Sequence, residues 1–296
     1  MIVARADNGF GILQEGAGGE DYIPLRGGQV VWDPRWLSPS EVVLGPAWRP
    51  TKDTVKFTMP MGSLMVAQVG LDGVEKIEDV MDKGYAAVPI DSRSLYAQYG
   101  EDLLLLRRND KGTFSEEYFG RGFFPTAQSG GPGMTYQTTP YPLRDFWTGQ
   151  SGAGSLIVRW KSAVVDSFDN AYDAVWTPDG RVLATAIDGS SEQPRHDVVM
   201  IAAPGEPAQI IAAAAHSPAP HPHYALMAVA DNEDGIRLVS YDRKVDVRIA
   251  RKGSHPQWNF DGTRLLVEES IVGGLPQLRV LVLVWREPRV ESATNE

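Results

Sequence analysis

His255–Val267 reads HPQWNFDGTRLLV, and its reading decides the fold. A segment bearing Trp258 runs into Asp261-Gly262, and an apolar, β-rich segment follows at once. Tyr172–Ala184, YDAVWTPDGRVLA, repeats the pattern. Trp176 answers Trp258, Pro178 answers Phe260, and Asp179-Gly180 answers Asp261-Gly262. Asp-Gly suits a two-residue hairpin turn, because glycine takes positive φ without steric penalty and aspartate tolerates it. Each stretch is therefore expected to form strand, tight turn and strand.

The unit recurs in weaker forms. Val30–Pro39 carries Trp36, Ala47–Thr58 carries Trp48, and Tyr85–Tyr99 places Asp91-Ser92 at the turn. Phe123–Thr138 and the stretch HSPAPHPHYALMAVADNEDG from His216 follow, and residues 2–25 read as three short strands. Trp176 and Trp258 are 82 positions apart (258 − 176), or two repeats of about 41. No stretch has a 3.6-residue apolar period. A sheet of so many strands must remove its edges, and radial repetition does so. The expectation is an all-β chain: a β-propeller of four-stranded blades, seven in number with six the alternative, in a single domain over 1–296.

Composition narrows the function classes. The chain has 296 residues, 43% hydrophobic and 22% charged, and its 30 Gly and 21 Pro fit a molecule rich in turns. A formal net charge of −10 argues against a nucleic-acid partner, which needs clustered Lys and Arg. There is no cysteine, so disulfides and thiolate metal sites are excluded. No apolar run is long enough to span a membrane as a helix. The start, MIVARADNGFG, lacks the apolar core of a signal peptide. That leaves a cytoplasmic protein, or a periplasmic or extracellular one whose leader has been removed. A monomer is expected.

WTPDGRVLA and WNFDGTRLLV resemble the repeat of the TolB-like, WD40-like β-propellers, which runs roughly Pro-x-Trp-Ser-Pro-Asp-Gly before two apolar residues. The resemblance implies that the innermost strand of each blade lines a central channel, with the Asp-Gly turns at one rim. Residues just before each innermost strand, and loops between second and third strands, would meet at the other rim. By that placement Asp169, Asn170, Tyr172, His221, His223 and His255 share one rim with the loop Pro140–Gly154.

Four of the five histidines, His216, His221, His223 and His255, belong to this group. His223 and His255 are the candidate ligands of a divalent metal, the one cofactor considered. Gly149–Ala153, GQSGA, approaches a nucleophile elbow at Ser151 but lacks the strand-to-helix setting, and no catalytic residue is nominated. The tryptophans at 36, 48, 176 and 258 are expected in the blade core. Pro140–Gly154 interrupts the repeat and gathers Tyr141, Arg144, Phe146 and Trp147, a composition suited to partner contact. The function expected is a non-catalytic scaffold presenting one rim to a protein, peptide or saccharide. The alternatives are a propeller enzyme, a metal-assisted lyase or hydrolase at the channel mouth, and the gating propeller of a prolyl-oligopeptidase-like enzyme.

Overall fold

A computed structural model of the chain describes residues 2–4, 10–16, 19–26, 35–45, 62–70, 73–84, 86–131, 133–139, 154–161, 164–188, 195–233, 235–269 and 277–283. All regular structure among them is strand. The strands form seven antiparallel sheets, each ordered as the chain runs. The first is three-stranded: β1 (Ile2–Ala4), β2 (Phe10–Gly16) and β3 (Gly19–Arg26). The second comprises β4 (Arg35–Ser38), β5 (Glu41–Leu44), β6 (Gly62–Gly70) and β7 (Gly73–Gly84). The third comprises β8 (Ala87–Asp91), β9 (Ser94–Tyr99), β10 (Asp102–Arg108) and β11 (Phe114–Arg121). β12 (Phe123–Ala127), β13 (Met134–Gln137), β14 (Ser155–Arg159) and β15 (Val165–Asp169) make the fourth. β16 (Ala171–Trp176), β17 (Val182–Asp188), β18 (Arg195–Ile201) and β19 (Gln209–Ala212) make the fifth. The sixth is β20 (Ala215–Pro220), β21 (Leu226–Asp231), β22 (Ile236–Ser240) and β23 (Asp246–Ala250). The seventh is β24 (Ser254–Trp258), β25 (Arg264–Glu269) and β26 (Gln277–Val282).

From the second sheet to the seventh, the first strand of each sheet packs against the first strand of the next: β4 on β8, then β12, β16, β20 and β24. The first sheet joins the series through β3 on β7. The sheets are blades and their first strands are the inner ones.

The core lies between sheets, and strand periodicity explains why. In β17, Val182 and Ala184 point into a cluster with Leu156, Val158 and Trp160 of the preceding sheet. Leu183, between them, points the other way and packs with Met227 and Val229 of the following sheet. Alternate side chains leave opposite faces of a strand, so a strand sandwiched between two sheets must be apolar at every position. VLA in β17 and MAVA in β21 read that way.

The Asp-Gly turns differ from expectation. Only the glycines take positive φ, Gly180 at 87° and Gly262 at 71°. Gly180 N–H donates to Thr177 O at 3.0 Å, and Thr177 N–H to Arg181 O at 2.8 Å. This is a type I turn closed by a left-handed glycine, longer than a two-residue turn. Pro178 favours it, because proline's fixed φ suits the second position of a type I turn. The aspartates sit inside the turn without positive φ, and their side chains brace it. Asp261 Oδ1 accepts from Thr263 N–H at 2.8 Å and from Asn259 Nδ2 at 2.7 Å.

The tryptophans do not all behave alike. Trp176 is 7% exposed and meets Trp160 edge to face at 5.5 Å. Trp258 is half-buried and donates Nε1–H to Ala219 O of the preceding sheet at 3.0 Å. Trp36 is 41% exposed, so it does not belong to the core. In β4 it is Leu37 that faces inward, one residue on, and a one-residue offset reverses the face of a strand. Trp48 lies outside the described residues.

Candidate functional site

Four inner strands break register at the same place. In β12, Phe124 and Pro125 fall between the pairs Phe123–Gln137 and Thr126–Thr135. Asp173 and Ala174 do so in β16, Ser217 and Pro218 in β20, and His255 and Pro256 in β24. Each is a bulge, with two residues opposite one on the neighbouring strand. The proline is admissible because a bulge position has no ladder bond to lose. The first bulged residue takes positive φ in every case, before proline in three and before Ala174 in β16: Phe124 51°, Asp173 50°, Ser217 51° and His255 46°. Non-glycine residues rarely hold that conformation, and its cost is of order 1–2 kcal/mol.

In two of the four bulges, the N–H displaced from the ladder is satisfied across the sheet junction. Phe124 N–H donates to Gln98 Oε1 at 2.9 Å, and Ser217 N–H to Thr185 Oγ1 at 3.2 Å. Gln98 and Thr185 are fully buried and occupy the second strands, β9 and β17, of the preceding sheets. The bulges of β12 and β20 thus tie neighbouring blades together, and all four display one strained side chain per blade.

Three of those side chains converge. Asp173 bonds Ser217, with His255, His216 and Arg35 within electrostatic reach. Asp173 is exposed to solvent, although many protein atoms of the neighbouring inner strands stand close to it. Loss of hydration pushes the Asp173 pKa up, and Ser217, His255, His216 and Arg35 oppose that only in part. Ser217 Oγ is also 3.1 Å from His216 Nδ1. Beside this group Tyr172 OH lies 2.8 Å from His196 Nδ1, and the His196 and His216 rings are 6.1 Å apart. Burial lowers the pKa of His196 and, with the charge of Asp173 adding to it, raises that of Tyr172. The arrangement is a hydrogen-bonded set of acids and bases at the end of the inner strands remote from the Asp-Gly turns.

His223 and His255 are not brought together. His255 Nδ1 lies 3.2 Å from Glu268 Oε2 and 3.2 Å from Ser254 Oγ, at the start of β24. His223 follows β20, with its ring 6.3 Å from that of Phe260, beyond the far end of β24. The length of the inner strand separates the two. Pro-His-Pro-His occupies the β20–β21 connection, so His221 and His223 sit at the turn rim and not beside His255. Among the described residues no group of three or more His, Asp or Glu side chains is placed to hold a metal ion. Tyr141, Arg144, Phe146, Trp147 and Ser151 lie outside the described residues. Sequence reasoning missed Arg35, Phe124, Asp173, His196 and Ser217. The signal for three of the bulges was present as the residue before Pro125, Pro218 and Pro256.

No family model matches the sequence, and no curated protein matches it. Solved structures do. An oligogalacturonate lyase in complex with manganese is 13% identical with a TM-score of 0.65, over 96% of this chain and 86% of that one. U3-55K is 12% identical with a TM-score of 0.57, over 90% of this chain and 84% of that one. The RRP9 WD40 repeats are 12% identical with a TM-score of 0.56, over 90% and 83%. At such identities the likeness speaks for fold alone, and the fold is a β-propeller with WD40-like repeats.

Proposed function

We propose that this protein is a binding scaffold of the TolB-like kind, a single propeller domain that recognises a peptide or saccharide at the rim where its inner strands begin. One observation carries the reading. The same strained bulge is built in four successive blades, and each presents a different side chain: phenyl, carboxyl, hydroxyl and imidazole. A backbone held constant while the displayed chemistry varies is what a recognition surface on a rigid frame requires. The loop with Tyr141, Arg144, Phe146 and Trp147 is the second contact element. Its flanks support this, since a Cβ on Gly154 would collide with Thr139, and Asn170, just before β16, donates N–H to Gly154 O at 2.8 Å.

A propeller lyase or hydrolase is the second reading, favoured by Asp173 standing beside Ser217 and His216. A carboxyl with a raised pKa is suited to taking and returning a proton.

Hydrogen exchange with a peptide or oligosaccharide selected from arrays tests the scaffold reading. Protection is expected at 171–175, 215–219 and 254–257. Protection confined to the Asp-Gly turns or the outer strands would overturn it.

A further inference from the structure

His221 follows β20 and is fully buried. Its Nε2 is 3.0 Å from the carbonyl of Gly262 in the next sheet. Its Nδ1 is 3.0 Å from the backbone N of His223 and 3.0 Å from that of Tyr224. A carbonyl only accepts and a backbone N–H only donates. The ring is therefore neutral, with its proton on Nε2 and a lone pair on Nδ1 shared by two donors. A second proton would go to Nδ1, where it would face both N–H groups.

We infer that His221 is a proton-operated latch: neutral, it ties the β20–β21 turn to the seventh sheet, and protonated, it releases both. The Trp258 ring stands against it at 4.6 Å and the Tyr224 ring at 4.8 Å. The groups around it that titrate or carry charge are His223 and Tyr224 on its own turn, and Asp261 and Arg264 on the facing one. The Asp261 carboxylate is taken up by Thr263 and Asn259, and the charge of His223 opposes a second positive charge. Burial in turn holds the pKa of His221 below the ordinary 6.5, partly offset by the bond to Gly262 O.

The same position in the fourth sheet shows what the imidazole adds. Gln128 follows β12 as His221 follows β20, and its N–H donates to Gly133 O as that of His221 does to Leu226 O. A Cβ on Gly180 would meet the Gln128 amide, as a Cβ on Gly262 would meet the His221 ring. The position takes an amide that cannot titrate at one junction and an imidazole that can at another.

With its folded pKa depressed, His221 contributes stability that is present above about pH 6.5 and lost as pH falls toward the lower folded value. Amide exchange of His223 and Tyr224 reads the latch directly. After correction for intrinsic rate, protection in the wild type should fall about tenfold per pH unit over that window. In His221→Gln it should be flat with pH, and in His196→Gln it should follow the wild type. Ring ¹⁵N shifts of wild-type His221 should show the Nε2–H tautomer at pH 7.5, whether or not the variants fold. Protection that ignores pH, loss of the effect in His196→Gln, or an Nδ1–H tautomer would overturn the latch.

Discussion

Gly262 has no Cβ where the His221 ring stands: a methyl there would overlap both Nε2 and Cε1 of the imidazole. Gly262 also holds φ at 71°. Two independent requirements, one conformational and one steric, therefore fall on this residue. Gly180, with φ at 87°, meets only the movable end of Gln128. Gly262→Val should accordingly cost more than Gly180→Val, by about 1–3 kcal/mol for the added overlap. Chemical denaturation of both variants checks the order. Adding His221→Ala to Gly262→Ala should return part of the loss, with a coupling of about 1 kcal/mol. Strict additivity would show that ring and turn do not meet.

The tryptophans should separate into three classes. Trp176→Ala removes a buried ring packed on Trp160 and should cost about 3–5 kcal/mol. Trp258→Ala should cost less because the ring is only half-buried, even though its loss leaves Ala219 O short of a donor. Trp36→Ala should stay within about 0.5 kcal/mol. Urea midpoints for the three variants test this ranking. A core-sized loss at Trp36 would contradict its exposure.

Asp173→Asn should stabilise the fold at neutral pH. The folded-state pKa of Asp173 is raised, so the folded chain favours its protonated form. Its contribution to stability is full below the ordinary 3.8 and is lost as pH rises through the folded value. Asparagine imitates the protonated acid and does not titrate. The melting temperature of Asp173→Asn should exceed that of the wild type at pH 7, and the two should converge near pH 3. A lower melting temperature at pH 7 would mean that Asp173 is paired as a carboxylate.

Much of the fold was legible because the second strand of each blade, such as β17 and β21, is buried on both faces. Runs such as VLATA and YALMAVA betray themselves by apolarity alone, and the Gly that closes each turn has no substitute. The turn type was misread because Asp-Gly suggests a two-residue loop, while Pro178 decides for a longer one. The site was less legible, for a geometric reason. A bulge changes which side chain points into the channel without altering composition, so Asp173 and Ser217 looked like ordinary strand residues. His223 was assigned to the wrong rim because Pro-His-Pro-His was read as leading into an inner strand, whereas it follows one.

The proposed recognition runs through the bulge residues at the inner-strand rim. Its most direct measurement is the affinity of one array-selected peptide or oligosaccharide for three forms: wild type, Asp173→Ala/His255→Ala, and Phe260→Ala. Phe260 is 91% exposed and stands at the opposite rim, so its removal controls for unspecific effects. Affinity should fall about tenfold or more in the double variant, with Phe260→Ala within about twofold of the wild type. Unchanged affinity in the folded double variant, or a loss confined to Phe260→Ala, would contradict it.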